Sequence, residues 1–242
     1  GKVYLWPLDP SVEGYRRVLE NPNILSGFLN SVFYTVVGTA INLAMTMIAA
    51  YPMARKDLPL RSFFSVLFAF TMLFGGGMIP NYILIMKLGM LNTRWALLLP
   101  GALSVYNMII ARTAMQSLPD ELLEAAYIDG CSDARYFVRI VLPLSGATIA
   151  VLALYYAVGH WNSYFSAFMY LSDRSKYPLQ ILIMGQIAES DITDLDSAEH
   201  IQGLSQLLKY ALIVISSAPM MLIYPFVQKY FVKGVMIGSL KG

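Results

Sequence analysis

The clearest pattern in this chain is a series of long stretches without a single Asp, Glu, Lys or Arg. A helix that crosses a bilayer needs about 20 mostly apolar residues, with a range of roughly 17–25. Backbone polar groups in lipid must be satisfied within the segment, so helices are expected, and these runs lack the alternation of barrel strands. Five helical spans are predicted, near residues 27–51, 62–86, 94–113, 144–170 and 207–229.

Composition also indicates a membrane protein. Hydrophobic residues make up 57% of the chain and charged residues 13%, and the mean hydropathy is +0.57. A soluble domain carries about 25% charged residues, so this chain lacks the charge to cover a surface in water. A soluble all-helical protein is the alternative, but its core helices would usually be shorter and have one charged face. The lipid bilayer is the expected surrounding, and a net charge of +2 gives no field for nucleic acid.

Missing motifs exclude several site chemistries. Cys131 is the single cysteine, so an internal disulfide and a cysteine-based metal cluster are excluded. His160 and His200 are too few and too far apart for a convincing zinc site. The chain has no Gly-x-x-x-x-Gly-Lys-Ser/Thr loop to cradle nucleotide phosphates. We therefore expect neither a metal nor a cofactor in this chain.

The connections between the apolar stretches differ in charge. Residues 52–61 form a short basic turn, whereas residues 171–206 form a longer acidic loop. Lys and Arg counts on the two sides are nearly tied, but the short connections mildly favour the cytoplasm for 52–61 and 112–143. The mixed segment 1–26 and the acidic loop are then expected on the extracytoplasmic side.

The polar segment 117–143 is predicted to form two short helices outside the membrane. Ser117 is a suitable N-cap for the first helix, and Gly130 is a suitable stop. Ser132 can start the second helix, which Pro143 ends or kinks. A compact helix pair with an exposed Ala-Ala step suits insertion into a groove on another protein.

The same segment resembles the EAA loop of ABC importer permeases, which docks into a cleft on a cytoplasmic ATPase subunit. The resemblance implies that Glu124 makes a charged contact to the ATPase and that Gly130 permits the turn. It also places the coupling loop 114–143 in the cytoplasm, because ATP is there. The residues that match the motif, and that are expected to dock, are Glu124, Ala125, Ala126, Gly130, Ile140, Leu142 and Pro143.

The resemblance extends over essentially the whole chain. Residues 75–80, 88–96, 159–165 and 228–242 are similar to the maltose-type carbohydrate-uptake permeases, in the branch associated with oligosaccharides and polysaccharide fragments. The implied fold is an all-α integral membrane protein, a type I ABC importer transmembrane domain over residues 27–242. Such permeases normally have one more helix before the first span, so a sixth N-terminal span is expected upstream of Gly1.

The resemblance also implies a set of partners in a bacterial cytoplasmic (inner) membrane. They are a second, non-identical permease subunit, two cytoplasmic ATPase subunits that bind ATP and Mg, and an extracytoplasmic substrate-binding protein. The chain would be a transport subunit for a carbohydrate and not itself an enzyme. The alternatives are a membrane-embedded enzyme that uses His160 and the acidic loop, and an ATP-independent channel. Neutral and acidic (uronate) oligosaccharides are both open as substrates.

Polar and aromatic residues inside the spans are candidates for the substrate path. Sugars need hydrogen-bonding amides, and flat rings can cover their C–H faces. Helix packing or anchoring at the membrane interface is the commoner role for any one such residue. The candidates are Asn81, Tyr82, Asn107, Tyr155, His160, Trp161 and Asn162.

Overall fold

The computed structural model describes residues 15–16, 20–186 and 209–222, and all regular elements within these ranges are helices. This agrees with the all-α class predicted from the sequence. Residues 1–14, the part of the acidic loop beyond 186 and the C-terminal segment beyond 222 lie outside the described residues. The predictions for most of 1–26, for 187–208 and for the last seven residues of the span at 207–229 therefore stay predictions. The elements are α1 (Pro22–Ala54), α2 (Arg61–Leu73), α3 (Met78–Lys87), α4 (Trp95–Leu98), α5 (Val105–Gln116), α6 (Asp120–Ile128), α7 (Asp133–Leu144), α8 (Gly146–Trp161), α9 (Phe165–Tyr170) and α10 (Lys209–Leu222).

Helix α1 is the central element. It has 33 residues, which is about 50 Å at 1.5 Å per residue, and it is long and apolar enough to cross a membrane by itself. Asn21 starts it by accepting a hydrogen bond from the backbone N–H of Asn23 at 3.0 Å. It packs mainly against α8 and α5. Small and polar side chains let these helices approach closely, as is usual between helices in lipid.

Three of the predicted spans are broken in the structure rather than continuous. The stretch 62–86 is divided into α2 and α3, which meet at 107°. The break falls in the run 74–77, where Gly77 has a φ of +86°, a conformation that glycine adopts without strain. The stretch 94–113 is α4 and α5 with an irregular segment around Pro100 and Gly101 between them. Charge-free length predicted apolar helical stretches, but not these breaks.

The fourth predicted span also has breaks. Helices α7 and α8 meet at 79° at Ser145, and α8 ends at Trp161, before α9 begins. By length and composition, the described residues contain one span, or up to three when each bent pair is one span. The predicted count of five and the sixth N-terminal span remain predictions.

Among the described residues, two hydrophobic clusters hold these helices together. One cluster joins the C-terminal half of α1 to α5 and to the α6–α7 segment, and it contains Met47, Met53, Met108, Met115 and Ala126. The other joins the start of α1 to Trp161, to helical residues 179–183 and to α10. Helix α2 contributes no buried residue to either cluster. The α6–α7 segment is thus fixed to the core, whereas α2 lies on its surface.

Candidate docking site

Helix α6 begins later than the sequence predicted. Its first residue is Asp120, after Pro119, and no side chain caps it. Ser117 instead ends α5, where its Oγ donates to the carbonyl of Ala114 at 2.7 Å. The predicted Ser117 N-cap is therefore wrong. The physical reason is that Pro119 disfavours helical backbone at Leu118, which separates the two helices.

The end of α6 confirms the predicted glycine stop. Gly130 has a φ of +71°, in the left-handed region where side chains cause strain. Its backbone N–H donates to the carbonyl of Tyr127 at 3.0 Å, and that of Cys131 donates to Ala126 at 2.9 Å. These paired bonds form a Schellman motif, which satisfies carbonyls that the helix end would otherwise leave free. Ser132 then has extended backbone and α7 starts at Asp133, as predicted.

Helix α7 is irregular toward its end. Residues Phe137–Val141 form a π-helical turn, and the helix ends at Leu144. Pro143 has no N–H to give to the carbonyl one turn before it, which weakens the regular ladder at this point. The chain then bends by 79° into α8, two residues beyond Pro143. This is consistent with the prediction that Pro143 ends or kinks the helix.

The seven motif residues divide between two faces. Glu124, Ala125, Gly130 and Pro143 are exposed, whereas Ala126 is only 6% exposed and belongs to the core cluster. Of the Ala-Ala step that was expected to be exposed, only Ala125 is. Ala126 faces the core because it lies on the apolar side of α6 with Leu123. The remaining two, Ile140 and Leu142, are half-buried against the same cluster.

An arginine clamp, which sequence reasoning missed, ties α1 to this helix pair. Arg55 follows the last residue of α1, and its Nη1 donates to Asp133 Oδ1 at 3.0 Å. Its Nε donates to Asp57 Oδ1 at 2.8 Å, and its guanidinium lies 5.6 Å from the centre of the Tyr127 ring. Tyr127 in turn donates to Asp133 Oδ1 at 2.6 Å. Only 14% of the Arg55 side chain is exposed, which makes this a partly buried network.

Hydrogen bonds within the clamp shift the pKa values of Asp57 and Tyr127. The hydrogen bond from Arg55 lowers the pKa of Asp57 below its usual value. The hydrogen bond to Asp133 raises the pKa of Tyr127, because the phenol is held as a donor.

A cavity of about 460 Å³ lies between the turn 51–61 and α6. A second ion pair, from Lys56 to Asp120, links the same two segments at the exposed surface. Apolar and charged side chains both line the space. They include Tyr51, Arg55, Arg61, Leu118, Pro119, Leu123, Glu124 and Tyr127.

Polar side chains inside the bundle form hydrogen bonds with backbone groups at the break between α4 and α5. Asn42 donates its amide N–H to the carbonyl of Gly101, and its Oδ1 lies 2.6 Å from Nε2 of His160. The Tyr156 hydroxyl lies 2.6 Å from Thr46 Oγ1 and accepts from the backbone N–H of Ser104 at 3.4 Å. Backbone groups freed by an irregular segment at membrane depth require such partners.

The structure does not bring the seven candidate path residues together. Trp161 is 3% exposed and donates to the carbonyl of Ser216 at 2.9 Å, and His160 contacts Asn42. Asn107 is 7% exposed, and its backbone N–H donates to Ser104 Oγ. Tyr82 is half-buried and stacks on Tyr170 with 6.1 Å between ring centres. The exposed candidates are Asn81, Tyr155 and Asn162.

Asn92 orders the turn at the other end of the bundle, and sequence reasoning did not single it out for this role. Its φ is +58°, which Asn tolerates better than most residues. Its Oδ1 accepts from the backbone N–H of Ser172 at 3.1 Å and of Asp173 at 2.9 Å. Hydrogen bonds from Ser175 and Lys176 lower the pKa of Asp173 to about 2. An Asn in the connection 87–93 indicates a turn, but its hydrogen-bond partners lie about 80 residues away, so no local pattern could identify them.

Comparison with known proteins identifies the family. Residues 42–237 match the family described as binding-protein-dependent transport system inner membrane component. Protein LplC of Bacillus subtilis (strain 168) is 44% identical over 241 residues, which are 99% of this chain and 82% of LplC. The polygalacturonan/rhamnogalacturonan transport system permease protein YtcP of the same strain is 42% identical over 244 residues, covering 100% of this chain and 85% of YtcP.

A solved structure has the same fold. It is the crystal structure of a bacterial ABC transporter involved in the import of the acidic polysaccharide alginate. One of its chains superposes with a TM-score of 0.86 and 32% sequence identity, over 96% of this chain and 83% of that chain. The chain therefore belongs to the family of binding-protein-dependent transport system inner membrane components and is the permease subunit of an ATP-driven importer.

Proposed function

We propose that this permease moves oligosaccharides derived from an acidic polysaccharide into a bacterial cell. The substrate class is supported by the functions of two similar proteins, one for polygalacturonan and rhamnogalacturonan and one for alginate. All three polymers contain uronate units, so of the neutral and acidic options the acidic one is favoured. The partners would be a second permease subunit, two ATPase subunits and an extracytoplasmic binding protein, in the cytoplasmic membrane.

Coupling to ATP hydrolysis is proposed to pass through the α6–α7 pair. Glu124 and Ala125 lie on its exposed side, where a partner can reach them, while Ala126 and Tyr136 fix the pair to the core. The Arg55 clamp then connects the pair to α1. Movement of the ATPase subunits would be passed to α1 as a rigid displacement, which could rock the spans between inward-open and outward-open states. No ATP is expected to bind to this chain itself.

The substrate proposal is tested by ATP hydrolysis in the reconstituted complex with its binding protein. Unsaturated or saturated galacturonate oligosaccharides and neutral oligosaccharides of the same length would be added in separate arms. The expected result is stimulation by the uronate series alone. Stimulation by the neutral series alone would overturn the acidic assignment without affecting the family.

The turn after α6 gives a test of the docking role. Gly130→Pro cannot adopt a φ of +71° and loses the N–H that donates to Tyr127, so the pair should lose its geometry. We expect binding-protein-stimulated ATP hydrolysis to fall by about tenfold or more, since even ~1.4 kcal/mol is a factor of ten. Gly130→Asn is the matched control, because Asn tolerates left-handed backbone, and it should retain most activity. Full coupling and assembly in Gly130→Pro would contradict the docking role.

The two predicted path residues Trp161 and Asn162 are expected to behave differently. Trp161→Phe removes the donor to Ser216, so it should lower stability by about 1–2 kcal/mol with an unchanged KM for the sugar. Asn162→Ala changes an exposed side chain at the end of α8 and should raise KM if this face meets the substrate. Thermal unfolding of the complex and initial transport rates separate the two effects. A raised KM in Trp161→Phe with unaltered stability would reverse the assignment.

A further inference from the structure

Two arginines at the membrane boundary have unused hydrogen-bonding capacity. Arg61 is the first residue of α2 and immediately precedes the charge-free stretch 62–86; Arg112, on α5, immediately follows the charge-free stretch 95–111. Both therefore lie where an apolar stretch meets water. The Nε atoms of both are shielded from solvent and have no hydrogen-bond partner among the described residues. A buried N–H without a partner is costly, and a charged one more so.

The two guanidinium groups belong to one site. Arg61 and Ser65 are four residues apart on α2 and so share a face. Arg112 donates from Nη1 to Ser65 Oγ at 3.3 Å, which brings it to that face, and the two arginines are close enough to repel each other. The N-terminal end of α2 adds a further partial positive charge. An anion is the ligand that would relieve both the repulsion and the unpaired donors.

The chain does not supply this anion among its described residues. Asp57 and Asp120, which line the cavity that Arg61 borders, are paired with Arg55 and Lys56. Neither Arg61 nor Arg112 forms an ion pair with a described acid. A second ligand feature lies beside them, since Phe63 and Phe64 are 60% and 37% exposed at the start of α2. The site therefore combines cations at the boundary with apolar surface just inside it.

We infer that Arg61 and Arg112 bind the phosphate of an anionic phospholipid headgroup. An arginine fork fits phosphate oxygens with paired hydrogen bonds, and basic pockets between helices at the cytoplasmic side are suited to such headgroups. The exposed phenylalanines offer a surface for the acyl chains. A phospholipid matches both parts of the site, whereas a free phosphate matches only the cations. A carboxylate of a partner subunit is the other possible occupant.

The test measures lipid retained by the purified complete complex, without sugar or ATP, so it does not depend on the proposed transport function. Complexes are extracted from membranes that contain phosphatidylglycerol, and bound lipid is identified by native mass spectrometry. The wild type should retain phosphatidylglycerol, and Arg61→Gln/Arg112→Gln should retain it about thirtyfold less, as expected for the loss of two cations at the surface. Lys87→Gln is the matched control, because Lys87 is the exposed first charge at the other end of the same stretch, and retention should be unchanged.

Further variants and conditions distinguish a phospholipid from the other candidate occupants of the site. Arg61→Lys/Arg112→Lys keeps both charges without the forks, so it should assemble and show intermediate retention even if the glutamine variant does not fold. Phosphatidylglycerol added to phosphatidylcholine nanodiscs should raise the thermal unfolding midpoint of the wild-type complex. Inorganic phosphate added to nanodiscs of phosphatidylcholine alone should not raise it. Equal stabilisation by inorganic phosphate would overturn the lipid assignment. Unchanged lipid retention with loss of a partner subunit in the glutamine variant would also overturn it, in favour of a protein carboxylate.

Discussion

Replacing Arg55 by alanine should uncouple ATP hydrolysis from the binding protein more strongly than any other single change outside the docking motif. The side chain joins Asp57, Asp133 and the Tyr127 ring, and its loss leaves two carboxylates without their cation. Hydrogen bonds to charged groups contribute about 1.5–3 kcal/mol, and we expect the lower end because the carboxylates are more than half exposed. That corresponds to roughly a tenfold loss of stimulated hydrolysis.

The measurement is the ATP hydrolysis rate of the reconstituted complex with and without binding protein. Lys56→Ala is the matched control, since Lys56 is the next residue and its ion pair to Asp120 is exposed on both sides, at 78% and 64%. Such surface pairs contribute about 0–1 kcal/mol, so this variant should lose little. If both variants lost stimulation equally, the clamp would not be the connection between α1 and the helix pair. Arg55→Lys should rescue only part of the loss, because an ammonium cannot serve both carboxylates as a fork does.

Replacing Gly38 by alanine should destabilise the bundle. Gly38 lies on the buried face of α1, and a Cβ there would be 2.5 Å from Cε1 and 2.7 Å from Cδ2 of the His160 ring. The ring must move, which disturbs its contact with Asn42 and, through Asn42, the bond to Gly101. Overpacking of this kind costs about 1–3 kcal/mol. A lower thermal unfolding midpoint of the complex would report the loss.

Gly159→Ala on α8 provides the control for this prediction. A Cβ at Gly159 meets no atom within 4 Å beyond its chain neighbours and the backbone of its own helix, so the change should be neutral or slightly stabilising. Combining Gly38→Ala with His160→Ala should cost less than the sum of the single variants, because the second change makes room for the first. Strictly additive costs would show that Gly38 is not limited by the histidine ring.

Sequence reasoning predicted the positions of the apolar helical stretches better than their continuity. The absence of charge from 62–86 identified an apolar stretch, yet the glycines at 75–77 turn it into two helices at 107°. The signal for a break was present in the glycines, but the angle depends on packing that length and composition do not contain. The same holds for Pro100 and Gly101, where Asn42 and Tyr156 supply the missing hydrogen bonds from elsewhere in the chain.

Within the docking segment, local chemistry was predictable and long-range pairing was not. The stop at Gly130 follows from backbone preference alone, and the structure places it there. The wrong cap at Ser117 came from giving a good cap residue more weight than the proline two residues later. Arg55 and Asp133 are 78 residues apart, so no local pattern could pair them. Ala125 and Ala126 were expected together on one exposed face, but adjacent helix residues point in directions about 100° apart, and Ala126 is buried.

Helix α2 has a consequence for how the subunit is made. None of its 13 residues is buried, and its phenylalanines and leucines other than Phe68 are exposed. A segment with so few internal contacts opens at low free energy, and an opened segment is the one that quality-control proteases reach first. The cellular lifetime of the newly synthesised subunit should therefore depend on how quickly something covers α2. Pulse–chase labelling in cells with and without the genes for the other subunits would measure that dependence directly.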